Sequence, residues 1–154
     1  MGDIDRPSSG RSASGPDADG FYAKDFEGPG FNAIFGRILC RPEGENVARV
    51  RITTGPARAN PHGALHGGFL LAFLDQAVFV GPITLGRLPF NGAVTLNFST
   101  QFVGPGRADV PLDCVVEIVS ETGKLMFLRG QMEQEGAVVL SFQGALRKLS
   151  PPKA

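Results

Sequence analysis

Residues 62–77 read HGALHGGFLLAFLDQA. From Phe69 onward the segment is apolar on nearly every side, which predicts a buried helix running from about Gly68 to Val80 and stopped by Gly81-Pro82. One acid, Asp75, lies inside it. A carboxylate amid Phe73, Leu74, Val78 and Phe79 is costly to desolvate unless it is hydrogen-bonded, and burial there would push its pKa upward. Perturbed acids of this kind cluster at functional sites, although a structural Asp bonded to backbone or across an interface would look the same. At the other end, Gly63, Gly67 and Gly68 let the backbone approach a ligand closely, and the first amides of a helix are unpaired donors. Such a place stabilises negative oxygen, on a phosphate or on a tetrahedral intermediate.

Helix geometry separates these two features. Gly67 and Asp75 are eight residues apart, about 12 Å along a helix rising 1.5 Å per residue. That is too far for the acid to serve a carbonyl held at its own helix start. If both act on one substrate, the acid comes from a second copy of the chain, with two helices packed antiparallel about a two-fold axis.

Working outward, residues 1–20 are rich in Gly, Ser, Pro and Asp and read as a flexible tail, leaving 21–150 as a single domain. FNAIFGRILC (31–40) and NVARVRITT (46–54) read as two strands joined by RPEGE, the second alternating Val47, Arg49 and Arg51 with Ala48, Val50 and Ile52. After the helix, GAVTLNFSTQFVG, VPLDCVVEIVSE, KLMFLRGQMEQ and AVVLSFQGALRKL are separated by PGRAD, TGK and EGA, the last two short hairpin turns. The order strand, strand, buried helix, four strands predicts an α+β hotdog fold: a long central helix wrapped by a curved antiparallel sheet of five to six strands, with a partner covering the helix from behind.

Fifteen basic and fifteen acidic residues balance among 154, so nothing favours nucleic acid or an anionic membrane as partner. The segment from Ala64 to Leu85 has the length of a membrane span, but Asp75, Gln76, Gly81-Pro82 and the absence of a flanking basic cluster argue for a core helix instead. Cys40 and Cys114 are too few and too far apart for a disulfide framework or a zinc ribbon and read as reduced thiols. The first twenty residues hold no apolar signal-peptide segment, which makes the cytoplasm the expected location. His62 and His66 are spaced i, i+4, but no HExxH glutamate lies between them, and no metal is expected.

Asn60, His66-Gly67-Gly68 and Asp75 within NPHGALHGGFLLAFLDQA, followed by GAVTLNFSTQFVGPGR, closely resemble the PaaI-type hotdog acyl-CoA thioesterases over roughly residues 30–148. The resemblance implies hydrolysis of an acyl-CoA thioester to free acid and coenzyme A, without metal or covalent cofactor, coenzyme A being part of the substrate. It assigns the Gly67 amide to the thioester carbonyl and Asp75 of the facing subunit to the role of general base or nucleophile. Asn60 would place the water or the carbonyl, and His66 would support the loop. Thr95 matches a Ser or Thr able to hold the attacking water, or is an ordinary strand threonine. Gly68, Pro105, Arg107 and Lys124 match positions near the coenzyme A portion, or the two cations are solvated turn charges. A homodimer, paired into a tetramer, is implied as well.

Aryl and medium aliphatic acyl groups both fit, with Phe69, Phe73, Phe79, Pro82, Ile83 and Phe90 as candidate pocket residues. Two other readings stand beside hydrolysis. One is a non-catalytic acyl-CoA binding module, against which the complete Asn60, His66-Gly67-Gly68 and Asp75 set argues. The other is a hotdog hydratase or dehydratase, against which the lack of a DxNPxH-like stretch argues.

Overall fold

A computed structural model describes residues 15–26 and 28–150. Seven strands form one antiparallel sheet: β1 (Tyr22–Asp25), β2 (Arg37–Pro42), β3 (Val47–Ile52), β4 (Ala93–Phe102), β5 (Leu112–Glu121), β6 (Leu125–Gln134) and β7 (Ala137–Lys148), in the spatial order β1-β2-β3-β5-β6-β7-β4. The helix α1 (Gly67–Thr84) lies between β3 and β4 in sequence and packs on the concave face, giving the hotdog arrangement. The sheet exceeds the expected five or six strands because the short YAKD segment pairs with β2 from Tyr22↔Cys40 to Asp25↔Arg37. Four residues carry too little alternation to be read as a strand from sequence. Of the expected tail, residues 1–14 lie outside the described residues. Asp17–Gly20 forms a turn, and Arg41 donates to the carbonyl of Asp19 at 2.6 Å.

Period-two alternation holds through the middle of the sheet. Ala48, Val50 and Ile52 of β3, Leu112, Cys114 and Val116 of β5, and Met126, Leu128 and Met132 of β6 are all buried in the core. The opposite face carries ion pairs, among them Arg49 with Glu43, Asp113 and Glu133, and Arg129 with Glu117. Cys40 and Cys114 are both buried free thiols, and burial pushes that of Cys114 well above the ordinary range. FNAIF, expected as strand, is instead a 3-10 turn at Phe31–Phe35 that buries only Phe35. Gly30 and Gly36 on either side of it take positive φ, which an extended run does not accommodate.

The helix departs from expectation in two ways. Gly81-Pro82 does not stop it. A Cβ at Gly81 would lie 3.1 Å from that of Val116, so the glycine lets the helix press against β5, while Pro82 in the last turn forfeits one backbone bond. The stop comes at Gly86, whose φ of 69° closes a Schellman motif: Gly86 N–H donates to the Ile83 carbonyl at 3.0 Å and Arg87 N–H to the Pro82 carbonyl at 2.9 Å. Nor is the helix covered all round. Leu70, Phe73, Leu74, Ala77, Val78 and Val80 are buried, whereas Gly68, Leu71 and Asp75 form an exposed stripe. By length and composition α1 could cross a membrane; in the fold its apolar residues pack against β2, β3 and β5.

Phe73 is fully buried at the centre of this core, where it meets Phe35 at 6.4 Å between ring centroids. Phe73→Ala should destabilise the chain by about 3–5 kcal/mol in denaturant unfolding; a loss below about 1 kcal/mol would mean that the helix is not seated as described.

Candidate active site

His66 caps the helix. Its backbone is extended, at φ −64° and ψ 133°, and its Nδ1 accepts the Gly68 amide at 2.9 Å. An accepting Nδ1 fixes the neutral imidazole as the tautomer with its proton on Nε2, leaving that N–H as an exposed donor. Gly67, the first helical residue, keeps an amide N–H with no partner among the described residues. Positive dipole and free donor therefore coincide at one backbone position. Only Gly68 has a steric reason: a Cβ there would lie 3.0 Å from His66 Nδ1, whereas one at Gly67 would make ordinary contact with the Phe102 ring at 3.4 Å.

The preceding loop is held by its own backbone and by Asn60. The side-chain Oδ1 of Asn60 accepts the amides of His62 (2.9 Å) and Ala64 (3.2 Å), and the His66 amide donates to the Arg58 carbonyl at 2.8 Å. Asn60 thus shapes the loop with its oxygen, and only its NH2 group is left for a ligand. His62 sits exposed in this turn, and among the described residues no cluster of His, Cys, Asp or Glu could hold a metal ion.

A second support, absent from the residues singled out above, comes from β6. Gln134, buried at the end of β6, accepts the Arg107 amide at 2.6 Å and donates to the carbonyls of Arg107 (2.8 Å) and Val110 (3.0 Å). That ties down the 104–110 loop. The Gly106 carbonyl in turn accepts the Leu65 amide at 2.8 Å, and Arg107 bridges to Ala64. The signal was present: Gln134 follows Met126, Leu128 and Met132 on the inward parity of β6, where a polar side chain needs a partner.

Asp75 is exposed on the single chain, because Phe73, Leu74 and Val78 turn to the core on the other side of the helix. Its Oδ1 accepts the Thr95 hydroxyl at 2.7 Å. A β-bulge makes this contact possible. The register of β4 on β7 shifts between Thr95 and Asn97, so Ala93 and Thr95 face the helix before it and Phe98 packs on the core after it. Without the extra residue, Thr95 and Phe98 would point to opposite faces.

Other expected residues are dispersed. Pro105 is exposed beside Gly106, near the helix start. Arg107 is exposed too, but Asp109 and Glu135 both pair with it; the Asp109 bond, chiefly, pushes its pKa further up. Lys124 is exposed on the β5–β6 turn, at the opposite end of β6 from Gln134 and about 30 Å away by strand rise, so one chain does not bring it to the Arg107 loop. Of the expected pocket residues, Phe73 and Pro82 are core. Phe69 instead lines a cleft of about 700 Å³ with His66, Gly68, Ala72, Arg58, Phe31 and Ile34.

The sequence profile of the thioesterase superfamily matches residues 62–141, just over half of the chain. No curated protein matches. Among solved structures, the E. coli PaaI protein from the phenylacetic acid degradation operon is 22% identical with a TM-score of 0.62, covering 73% of this chain and 80% of its own. A hypothetical thioesterase with coenzyme A from Streptococcus pneumoniae TIGR4 is 23% identical at TM-score 0.63, covering 73% and 85%. A mutant of the phenylacetic acid degradation protein PaaI from Thermus thermophilus is 24% identical at TM-score 0.63, covering 77% and 98%. At these identities the likeness establishes the hotdog fold.

Because the His66 imidazole satisfies a helix-start amide, His66→Ala should cost about 0.5–2 kcal/mol in thermal or denaturant unfolding. His66→Asn, which can cap in its place, should recover most of that; equal losses in both would show that the cap contributes nothing.

Proposed function

The chain belongs to the thioesterase superfamily, and from that premise we propose that it hydrolyses an acyl-coenzyme A thioester to free acid and coenzyme A at sites shared between two copies of the chain. The carrying observation is one helix with a free amide donor at Gly67 and a carboxylate held by Thr95 at Asp75, about 12 Å further along. A thioester carbonyl can be polarised at one end and attacked with help from the other only if the two ends belong to different chains. The pneumococcal neighbour, a hypothetical thioesterase with coenzyme A, supports the choice of thiol.

In this mechanism the Gly67 N–H donates to the carbonyl oxygen and strengthens its hold as that oxygen becomes an oxyanion, aided by the helix dipole. His66 keeps the adjacent amide occupied and the loop in place. On the partner, the Asp75 carboxylate accepts a proton from water attacking the carbonyl carbon, or attacks that carbon itself to form a mixed anhydride that water then hydrolyses to the free acid and the carboxylate; in either case the thiolate of coenzyme A leaves and takes up a proton. The Thr95 hydroxyl fixes the orientation of the carboxylate and leaves its other oxygen for this work. Bringing a second chain over Asp75 would also remove it from water, as an acyl-transfer site requires.

Two surfaces support such a pairing. The uncovered stripe Gly68, Leu71 and Asp75 lies beside β4, which is an edge strand hydrogen-bonded only to β7 among the described strands. Leu96 and Phe102 on β4 are 50% and 57% exposed, an apolar edge of the kind that pairs with a second copy.

Asp75→Asn should lower kcat at least ~100-fold in a thiol-release assay over a panel of acyl-CoA substrates. Gly67→Pro isolates the donor: proline suits the first helical position, and the extended backbone of His66 is what a residue before proline adopts, so the N–H is removed with the helix retained. It should cost about 10²–10³ in kcat, as loss of one oxyanion donor does, while Gly67→Ala stays within a few fold. Full activity in Asp75→Asn would sink the assignment of the acid.

A further inference from the structure

Arg58 lines the cleft beside His66 and Gly68 and has no role in the chemistry above. Nine arginines lie among the described residues. Seven of them, Arg37, Arg41, Arg49, Arg51, Arg87, Arg107 and Arg129, pair with a carboxylate. Of the other two, Arg147 is exposed and Arg58 is half-buried. The Arg58 guanidinium donates to the carbonyls of Thr53 and Ile34, the latter at 2.9 Å, and lies over the Phe69 ring at 5.1 Å from its centroid. Burial pushes its pKa down, and among the described residues no acidic side chain offsets that cost. Two of its five N–H groups are used, and Ile34 and Phe69, which flank it, both belong to the cleft wall.

The rest of that wall is Phe31, Ile34, Ala57, Ala59, Phe69 and Ala72, apolar apart from His66. A half-buried cation set in an apolar wall is complementary to a ligand with an apolar body and an anionic end. The cation stands over Phe69, two residues past the Gly67 donor and within one helical turn of it. The first phosphate of coenzyme A is separated from the thioester sulfur by the whole pantetheine arm, so a group this near the carbonyl site faces the acyl side. We propose that Arg58 is a specificity-determining residue that selects acyl groups carrying a carboxylate a few atoms from the thioester carbonyl. This inference rests on Gly67 being the site of that carbonyl.

The test compares succinyl, glutaryl and adipyl thioesters, each with a neutral isostere in which an isopropyl group replaces the terminal carboxylate. The quantity read is the ratio of kcat/KM within each pair. Wild type should prefer the carboxyl-ended member at one or more lengths. Arg58→Gln should lower the ratio roughly 10- to 100-fold, mainly through KM, with Arg58→Lys between the two because it keeps charge without the planar fork. The same ratios should appear with N-acetylcysteamine thioesters, which carry no phosphate. An effect confined to the coenzyme A esters would move Arg58 to the nucleotide and overturn the proposal. So would a wild type without preference, or a ratio that Arg58→Gln leaves alone, as a purely structural tie to Ile34 and Thr53 would produce. If Arg58→Gln does not fold, Arg58→Lys and the wild-type preference decide. If wild type cleaves no thioester, hydrolysis is refuted separately. The same acyl pairs are then measured as non-hydrolysable thioethers by calorimetry, where tighter binding of the carboxyl-ended member, lost in Arg58→Gln and reduced in Arg58→Lys, supports the role and equal binding overturns it.

Discussion

The rise of the α-helix sets the terms for this molecule. It places the free Gly67 amide and the Asp75 carboxylate on one rigid element about 12 Å apart. Neither side-chain rotation nor loop movement can close that gap, because one group is backbone and the other projects from a helix seated by Phe73, Leu74 and Val78 in the core. In the proposed hydrolysis each helix would carry half of each of two sites, and antiparallel pairing about a two-fold axis is the arrangement that would complete both at once. The bare stripe on α1 and the edge of β4 left open among the described strands would share one purpose in that proposed arrangement.

Much of the remaining structure serves to hold those two halves still. Gln134 fastens the 104–110 loop, that loop holds Leu65, and Asn60 and His66 shape the last residues before the free amide. At the other half, the bulge in β4 turns Thr95 toward Asp75 without exposing Phe98. These are backbone devices: a bulge, a cap and a side-chain amide posing as a strand. None adds much stability alone; together they fix where negative charge would be received and where a proton would be taken.

What could be read from the sequence followed from local pattern. The apolar run with one acid announced the helix, alternation announced six of the seven strands, and the glycines beside His66 announced a backbone donor. What escaped required long-range geometry. Gly81 looked like a stop because its real role, close approach to Val116, depends on a strand 35 residues away. Gly86 ends the helix through bonds that a glycine two residues after Thr84 does not advertise. Arg58 and Gln134 escape a local reading because their partners, Ile34 and the 107–110 loop, lie 24 or more residues off. Asp75 was expected in a buried setting, and the single chain leaves it exposed, since an apolar sequence neighbour on a helix need not be a spatial one.

The claim that each site draws on two chains is tested most directly by complementation. Asp75→Asn and Gly67→Pro subunits, each inactive alone, are mixed under conditions where subunit exchange is verified by mass or fluorescence. Mixed dimers hold one site with both defects and one with neither, so activity should return to about one quarter of the wild-type level at equal mixing, half of the dimers being mixed and each carrying one intact site. No recovery despite confirmed exchange would place donor and carboxylate in the same chain and contradict the shared site.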